Sequence, residues 1–190
     1  LPKLEYIGVL ATGYDSIDLD AAREFGVVVT NVPVYANYSV PQLTFALILE
    51  LCYHVEKHSK SVKEELYWCK NTYNSYWLNP LIGLDGKTLG IVGMGRIGQQ
   101  VANIGTAFGM KILAFDVFQY KLPNIKWVGL DELLSMSDIV TLHCPLFDTT
   151  CGLMNKETLG KMKSSAFLIN TSRGPLVVEE DLADALNNGM

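Results

Sequence analysis

The sequence is short of positive charge. Fifteen lysines and arginines stand against twenty aspartates and glutamates, for a formal net charge of −5 over 190 residues. That deficit argues against a surface built for nucleic acid. It also lacks a long apolar run: the longest largely apolar stretch, 43–49, is far short of the ~20 residues a membrane-spanning helix needs. No signal peptide is expected at its start. Cysteine is sparse, and no two of Cys52, Cys69, Cys144 and Cys151 have C-x-x-C spacing. Cys52 and Cys144 fall in apolar runs, so reduced thiols in a cytoplasmic protein are expected. Of the three histidines, His54 and His58 stand at i, i+4, a spacing that could hold a metal. No third ligand accompanies them, and Glu56, Lys57 and Lys60 read as a solvated face, so no metal site is expected.

What the sequence does have is core material and one organised motif. Hydrophobic residues make up 49% of the chain, which supports a real core, and 190 residues can hold one full domain and part of another. Leu89 to Val92 is a short apolar run of the kind a buried parallel strand needs. Gly93, Gly95 and Gly98 then fall as G-x-G-x-x-G. Ile97, Val101, Ile104 and Phe108 follow at helical spacing. A second apolar run, 112–115, ends at Asp116, 18 residues past Gly98. Each part suits a dinucleotide. Gly93 permits a tight turn, Gly95 lets a pyrophosphate approach the backbone, and Gly98 lets helix and strand pack closely. The helix N-terminus offers N–H groups to the phosphates, and Asp116 can accept from a ribose diol. A glycine turn in some other α/β domain is the bland alternative.

Taken in order, 6–11 reads as a buried strand. Asp18 caps a short helix that ends at Gly26, and 27–32 reads as a second strand. Ser39 and Gln42 have capping-box spacing at the head of a long helix. Val40, Leu43, Leu47, Leu51 and Val55 form one apolar stripe on it, and Phe45, Ala46, Ile48 and Leu49 cover its other sides, so it is expected to be buried between layers. Residues 64–86 are irregular and aromatic (Tyr67, Trp68, Tyr73, Tyr76, Trp77), packing on the domain surface or forming a subunit contact. Beyond Asp116 come a helix over 130–136, a strand over 139–144, a helix from Asn155 through Met162 and a strand over 167–170. Last is a helix over 179–188 with Leu182, Ala185 and Leu186 inward. This rhythm implies an α/β fold with a doubly wound parallel sheet, a Rossmann-type cofactor domain. Residues 1–35 are expected to be the end of a second α/β unit and 36–190 the dinucleotide-binding domain, with the chain a fragment cut at both ends. Ligands of such sheets bind beyond the carboxyl ends of the strands. The glycine loop, Asp116, His143-Cys144-Pro145 and Thr171-Ser172-Arg173 all fall there.

These residues resemble a known family. Ala11-Thr12-Gly13-Tyr14-Asp15-Ser16-Ile17-Asp18, Ser39-Val40-Pro41-Gln42, the glycine loop, His143-Cys144-Pro145-Leu146 and Asn170-Thr171-Ser172-Arg173-Gly174 occur in the order seen in D-isomer-specific 2-hydroxyacid dehydrogenases. The run from Tyr76 to Lys87 looks most like the glycerate dehydrogenase, or hydroxypyruvate reductase, branch. The chain departs from the family at Pro41, where alanine is usual, at Leu43, where histidine is frequent, and at Phe147-Asp148-Thr149.

The resemblance implies an NAD-dependent oxidoreductase. It would interconvert hydroxypyruvate or glyoxylate with the D-2-hydroxy acid by hydride transfer. Arg173 would hold the substrate carboxylate, with a fork that matches it bidentately. Thr12 and Gly13 would meet substrate and nicotinamide, and Arg96 and Ile97 the pyrophosphate. Pro145 and Thr150 would flank the adenosine half, although Thr150 reads equally well as a solvated loop residue. Thr171 and Ser172 would lie on the nicotinamide side. His143 invites the label of general acid. The family's catalytic histidine, paired with a glutamate, falls in a later motif, so His143 is expected to be a wall of the cofactor pocket. The fragment alone would then be inactive. Expected partners are the small acid and a second copy of the chain, with no nucleic acid or membrane. A dinucleotide-sensing corepressor of the same fold is the alternative function.

Overall fold

The computed structural model describes residues 3–72 and 74–189. The chain opens with strand β1 (Tyr6–Gly8), helix α1 (Leu19–Glu24) and strand β2 (Val28–Thr30). The two strands pair in parallel, Tyr6 opposite Val28. Asp18 caps α1 as expected, its carboxylate accepting from the Asp20 and Ala21 N–H groups. Both strands are shorter than their apolar runs and neither is buried. Tyr6 and Val28 are 57% and 58% exposed, and Leu10 is 90% exposed. Helix α1 contributes a single buried residue, Ala22, so alternate strand residues face outward.

A 3₁₀ turn (Tyr35–Asn37) leads into helix α2 (Ser39–Tyr53). The expected capping box is not formed. Tyr38 already has near-helical dihedrals (φ −110°, ψ −37°), so no extended residue precedes the helix from which a side chain could reach back. The expected stripe is also on the wrong side. Pro41, Thr44, Phe45, Ile48 and Cys52 are buried, whereas Leu43, Leu47, Leu51 and Val55 are exposed. Phe45 decides this, because its ring stacks on Phe108 at 5.4 Å and seats that face of the helix on the sheet. The helix stops at His54, which is left-handed (φ 47°), and resumes as α3 (Val55–Lys63). A four-residue helix, α4 (Tyr67–Lys70), lies in the aromatic segment. There Tyr67 and Trp68 gather around Tyr76, at 4.7 and 5.5 Å between ring centroids. Tyr76 also shares a hydrogen bond with Ser61, while Trp77 is exposed; Tyr73 lies outside the described residues.

The second sheet contains β3 (Thr88–Val92), β4 (Lys111–Phe115), β5 (Ile125–Trp127), β6 (Ile139–Leu142) and β7 (Phe167–Asn170), all parallel, in the order β5-β4-β3-β6-β7. Four helices complete the unit: α5 (Arg96–Ala107), α6 (Leu130–Met136), α7 (Lys156–Leu159) and α8 (Glu179–Asn187). Strand residues alternate between two cores. Leu89, Ile91, Ile112, Ala114, Ile139 and Ile169 pack against α2 and α5; Val92, Leu113, Val140 and Leu142 pack against α6, α7 and α8. Helix α7 is half the expected length, closed after one turn by an Asn155–Thr158 capping box at one end and Gly160 at the other. On α8 only Ala185 is buried; Leu186 points outward at 70% exposure, because the helix touches the sheet along a narrow stripe.

Candidate functional site

The ladder register aligns the site. Val92 pairs with Phe115 on one side and Leu142 on the other, and Leu142 pairs with Asn170. The next residues of these strands, Gly93, Asp116, His143 and Thr171, therefore emerge in one row. Hydrogen bonds extend the ladder past the strands, Gly93 N–H donating to Phe115 O at 2.9 Å and His143 N–H to Val92 O at 2.7 Å. The chain winds outward from β3 to β5 and then returns to β6, so the strand order reverses between β3 and β6. A crevice opens at such a reversal.

The glycine loop is built from backbone. Gly93 has φ +95°, and a Cβ there would lie 2.5 Å from Cys144 N. A Cβ on Gly98 would collide with the carbonyl oxygen of Gly93. Between them Met94 is fully buried; its N–H donates to Asp116 Oδ2 at 2.7 Å and its carbonyl accepts from Gln99. Asp116 Oδ1 accepts from Phe118 N–H. Gly95 is the extended N-cap of α5, has open space above its α-carbon and leaves the first turn without a side-chain cap. Uncapped N–H groups at the head of a 12-residue helix, beside a residue with no Cβ, suit a pyrophosphate. The residues present fit a dinucleotide.

A cleft of about 1050 Å³ lies between this row and the loop after β1. Of the residues expected at the site, Thr12, Gly13, Ile97, His143, Pro145, Thr171, Ser172 and Arg173 line it; Gly93, Gly95, Arg96, Gly98, Asp116 and Thr150 do not. Asn170 braces the turn after β7, donating to Arg173 O and accepting from Ser172 N–H. Ser172 Oγ donates to Cys144 O at 2.7 Å, joining the β6 and β7 loops. Thr44 donates to Val40 O, so Thr171 supplies the proton of the 3.0 Å bond between the two hydroxyls. The Thr150 hydroxyl is spent inside its own loop, donating to Pro145 O and accepting from Phe147 N–H.

Arg173 and Asp15 meet across the cleft. Arg173 Nε donates to both Asp15 oxygens, at 2.9 and 3.1 Å, and Nη1 donates to Ser172 O. This bond to Arg173 holds the Asp15 carboxyl below its usual range. Sequence reasoning missed Asp15, whose partner lies 158 residues away, and missed Met94, although an apolar side chain inside a glycine loop was a signal of burial. His143 Nε2 is buried without a hydrogen bond, and burial pushes the ring down to about 4. Burial thus disfavours the charged ring, which suits a wall of the pocket better than a general acid. Burial pushes the Cys52 and Cys144 thiols up. His58 uses both ring nitrogens on backbone, Nδ1 on His54 O and Nε2 on Leu78 N–H. Among the described residues no group of three potential metal ligands occurs, and no helix is long and apolar enough to cross a membrane.

Comparison with known proteins places this geometry. A hydroxypyruvate reductase from Blautia hydrogenotrophica is 50% identical over 99% of this chain and 59% of its own length. A glycerate dehydrogenase from Methylorubrum extorquens is 41% identical over all of this chain and 59% of its own. The chain thus spans under two thirds of the length of these relatives. Among solved structures, the Aquifex aeolicus D-lactate dehydrogenase complexed with NAD and lactic acid superposes with a TM-score of 0.88 at 36% identity, over 99% of this chain and 56% of that one. The NAD-binding domain model of the D-isomer-specific 2-hydroxyacid dehydrogenases matches residues 45–190, and the chain belongs to that family.

Proposed function

We propose that the full-length protein is an NAD-dependent reductase of a small 2-oxo acid, hydroxypyruvate or glyoxylate, giving the D-2-hydroxy acid. One observation carries the reading: Arg173, among the described residues the sole cationic one lining the cleft, stands beside Thr171 and Ser172 at the mouth of the reversal crevice. When bound, the reduced nicotinamide supplies hydride to the substrate carbonyl carbon. The glycine loop and the first turn of α5 hold the phosphates. Asp116 takes the ribose, and with Val117, Phe118 and Gln119 after it no cation is offered to a 2′-phosphate. Arg173 clamps the acid and orients its carbonyl. His143, Pro145 and Ile97 wall the pocket, and a histidine outside residues 1–190 gives the proton. Pairing of two copies belongs to the same reading, supported by the outward Leu43, Leu47 and Leu51 of α2.

Hydroxypyruvate-dependent NADH oxidation by the full-length enzyme tests the activity, and glyoxylate beside it ranks the substrates. Failure of both acids at saturating NADH sinks the reading. Titration with NADH and NADPH tests the pocket, where tighter NADPH binding contradicts the role given to Asp116. Sedimentation of a monomer at micromolar concentration removes the homodimer.

A further inference from the structure

We propose that Asp15 is a positioning residue for Arg173, tethering the Nε edge of the guanidinium so that its Nη2 end is presented to the substrate carboxylate. The inference rests on the role proposed above for Arg173. Three contacts fix the guanidinium. The Asp15 carboxylate takes the Nε–H from the opposite wall, Ser172 O takes an Nη1–H, and the Gly13 backbone lies so close under Nη2 that any Cβ there would strike it. Among the described residues Nη2 makes no hydrogen bond. An arginine has long, flexible rotamers, and ordering them on ligand binding costs affinity. A tether that orders the side chain beforehand removes that cost.

The pair is not a stability device. Both side chains are about a third exposed (35% and 37%), and exposed ion pairs contribute little to folding. Its value lies in orientation, and in joining the loop after β1 to the loop after β7. Asp15 also places negative charge near an acid ligand, so tether and repulsion pull the measured affinity in opposite directions. The variants separate them, because asparagine keeps an acceptor for Nε and drops the charge, while alanine drops both.

The test is steady-state kinetics of full-length Asp15→Ala and Asp15→Asn with hydroxypyruvate, NADH saturating, beside an NADH titration and thermal melting. Asp15→Ala is expected to raise KM about 10- to 30-fold, with a smaller fall in kcat. NADH affinity should stay within about twofold and the melting point nearly unchanged. Asp15→Asn should recover much of the KM. In an Arg173→Lys background, Asp15→Ala should add almost nothing, since a residue that acts through another has no effect once that other is gone. An unchanged or lowered KM in both single variants, an equal loss of NADH affinity, or the full Asp15→Ala effect persisting in Arg173→Lys overturns the proposal. Arg173→Lys alone behaving like wild type instead removes Arg173 from substrate binding, which is failure of the underlying reading and is seen in a different variant.

Discussion

The two walls of the cleft are made differently. One is the row of strand ends, backed by a glycine loop outside the cleft lining: Gly93 and Gly98 touch backbone, Met94 is buried, and the ladder runs on through Gly93 and His143 N–H groups. The other is the loop after β1, held to the first by the side chains of Asp15 and Arg173 and carried by two strands whose alternate residues are exposed. A wall of packed backbone has one arrangement. A wall tied by a half-exposed ion pair can be retuned without unfolding anything. Substitutions in the packed backbone should therefore damage the fold, and those in the tie should damage ligand handling alone.

The largest expected effect is on the backbone wall. Gly93→Ala places a Cβ against Cys144 N in a left-handed conformation, which should destabilise the domain by about 2–4 kcal/mol. Denaturant melting measures it, and a loss below about 1 kcal/mol would mean the loop is softer than its contacts suggest. At the tie between the walls, Arg173→Lys should keep the fold and lower kcat/KM about 30- to 1,000-fold, because lysine loses the bidentate fork. NADH affinity should change little. A melting transition shifted as far as that of Gly93→Ala would erase the contrast between the walls.

A smaller effect is set by pH. His143 has a folded value of about 4 against an ordinary 6.5. Between those values the unfolded chain holds a proton that the folded chain does not, so stability falls as pH drops from 6.5 toward 4 and is unaffected above about 7. The loss should be on the order of 1–3 kcal/mol near pH 4, and His143→Asn should flatten that part of the profile. A profile of His143→Asn that matches wild type assigns the acid sensitivity elsewhere. The smallest contrast concerns caps. Asn155→Ala removes a formed capping box and should cost about 1 kcal/mol. Ser39→Ala should stay within about 0.5 kcal/mol, since Ser39 caps nothing. Equal losses would restore the capping box that the sequence suggested.

The sequence was most legible where the signal is local. The run Leu89 to Val92, the three glycines and the helical spacing from Ile97 are set by neighbours in the chain, and they gave β3, the loop and α5. Helix α6 and strand β7 were readable to the residue for the same reason. Legibility failed where a distant partner decides. The apolar pattern of β1 and β2 cannot tell which face is covered. Ring stacking of Phe45 on Phe108, 63 positions on, chose the buried side of α2 against its leucine stripe. Strand β5 has three residues, too few to show a period, and joins the sheet through β4 alone. Of the site, the row of strand ends was readable because topology fixes it. Asp15 was not, since only the folded chain brings it to Arg173.

The shared register of β3, β4, β6 and β7 has a consequence for how this domain tolerates insertions and deletions. The four residues of the row are each the first past a strand, so their alignment is encoded in strand length. One residue added within β6 would slide His143 about 3.3 Å along the strand axis and turn it to the opposite face of the sheet, leaving Cys144 and Pro145 misaligned with Gly93. The connection between β4 and β5, residues 116–124, could lengthen beyond Phe118 without moving any of them. Chain length is thus free to vary on the outer rim and frozen across the four strands whose ends form the row.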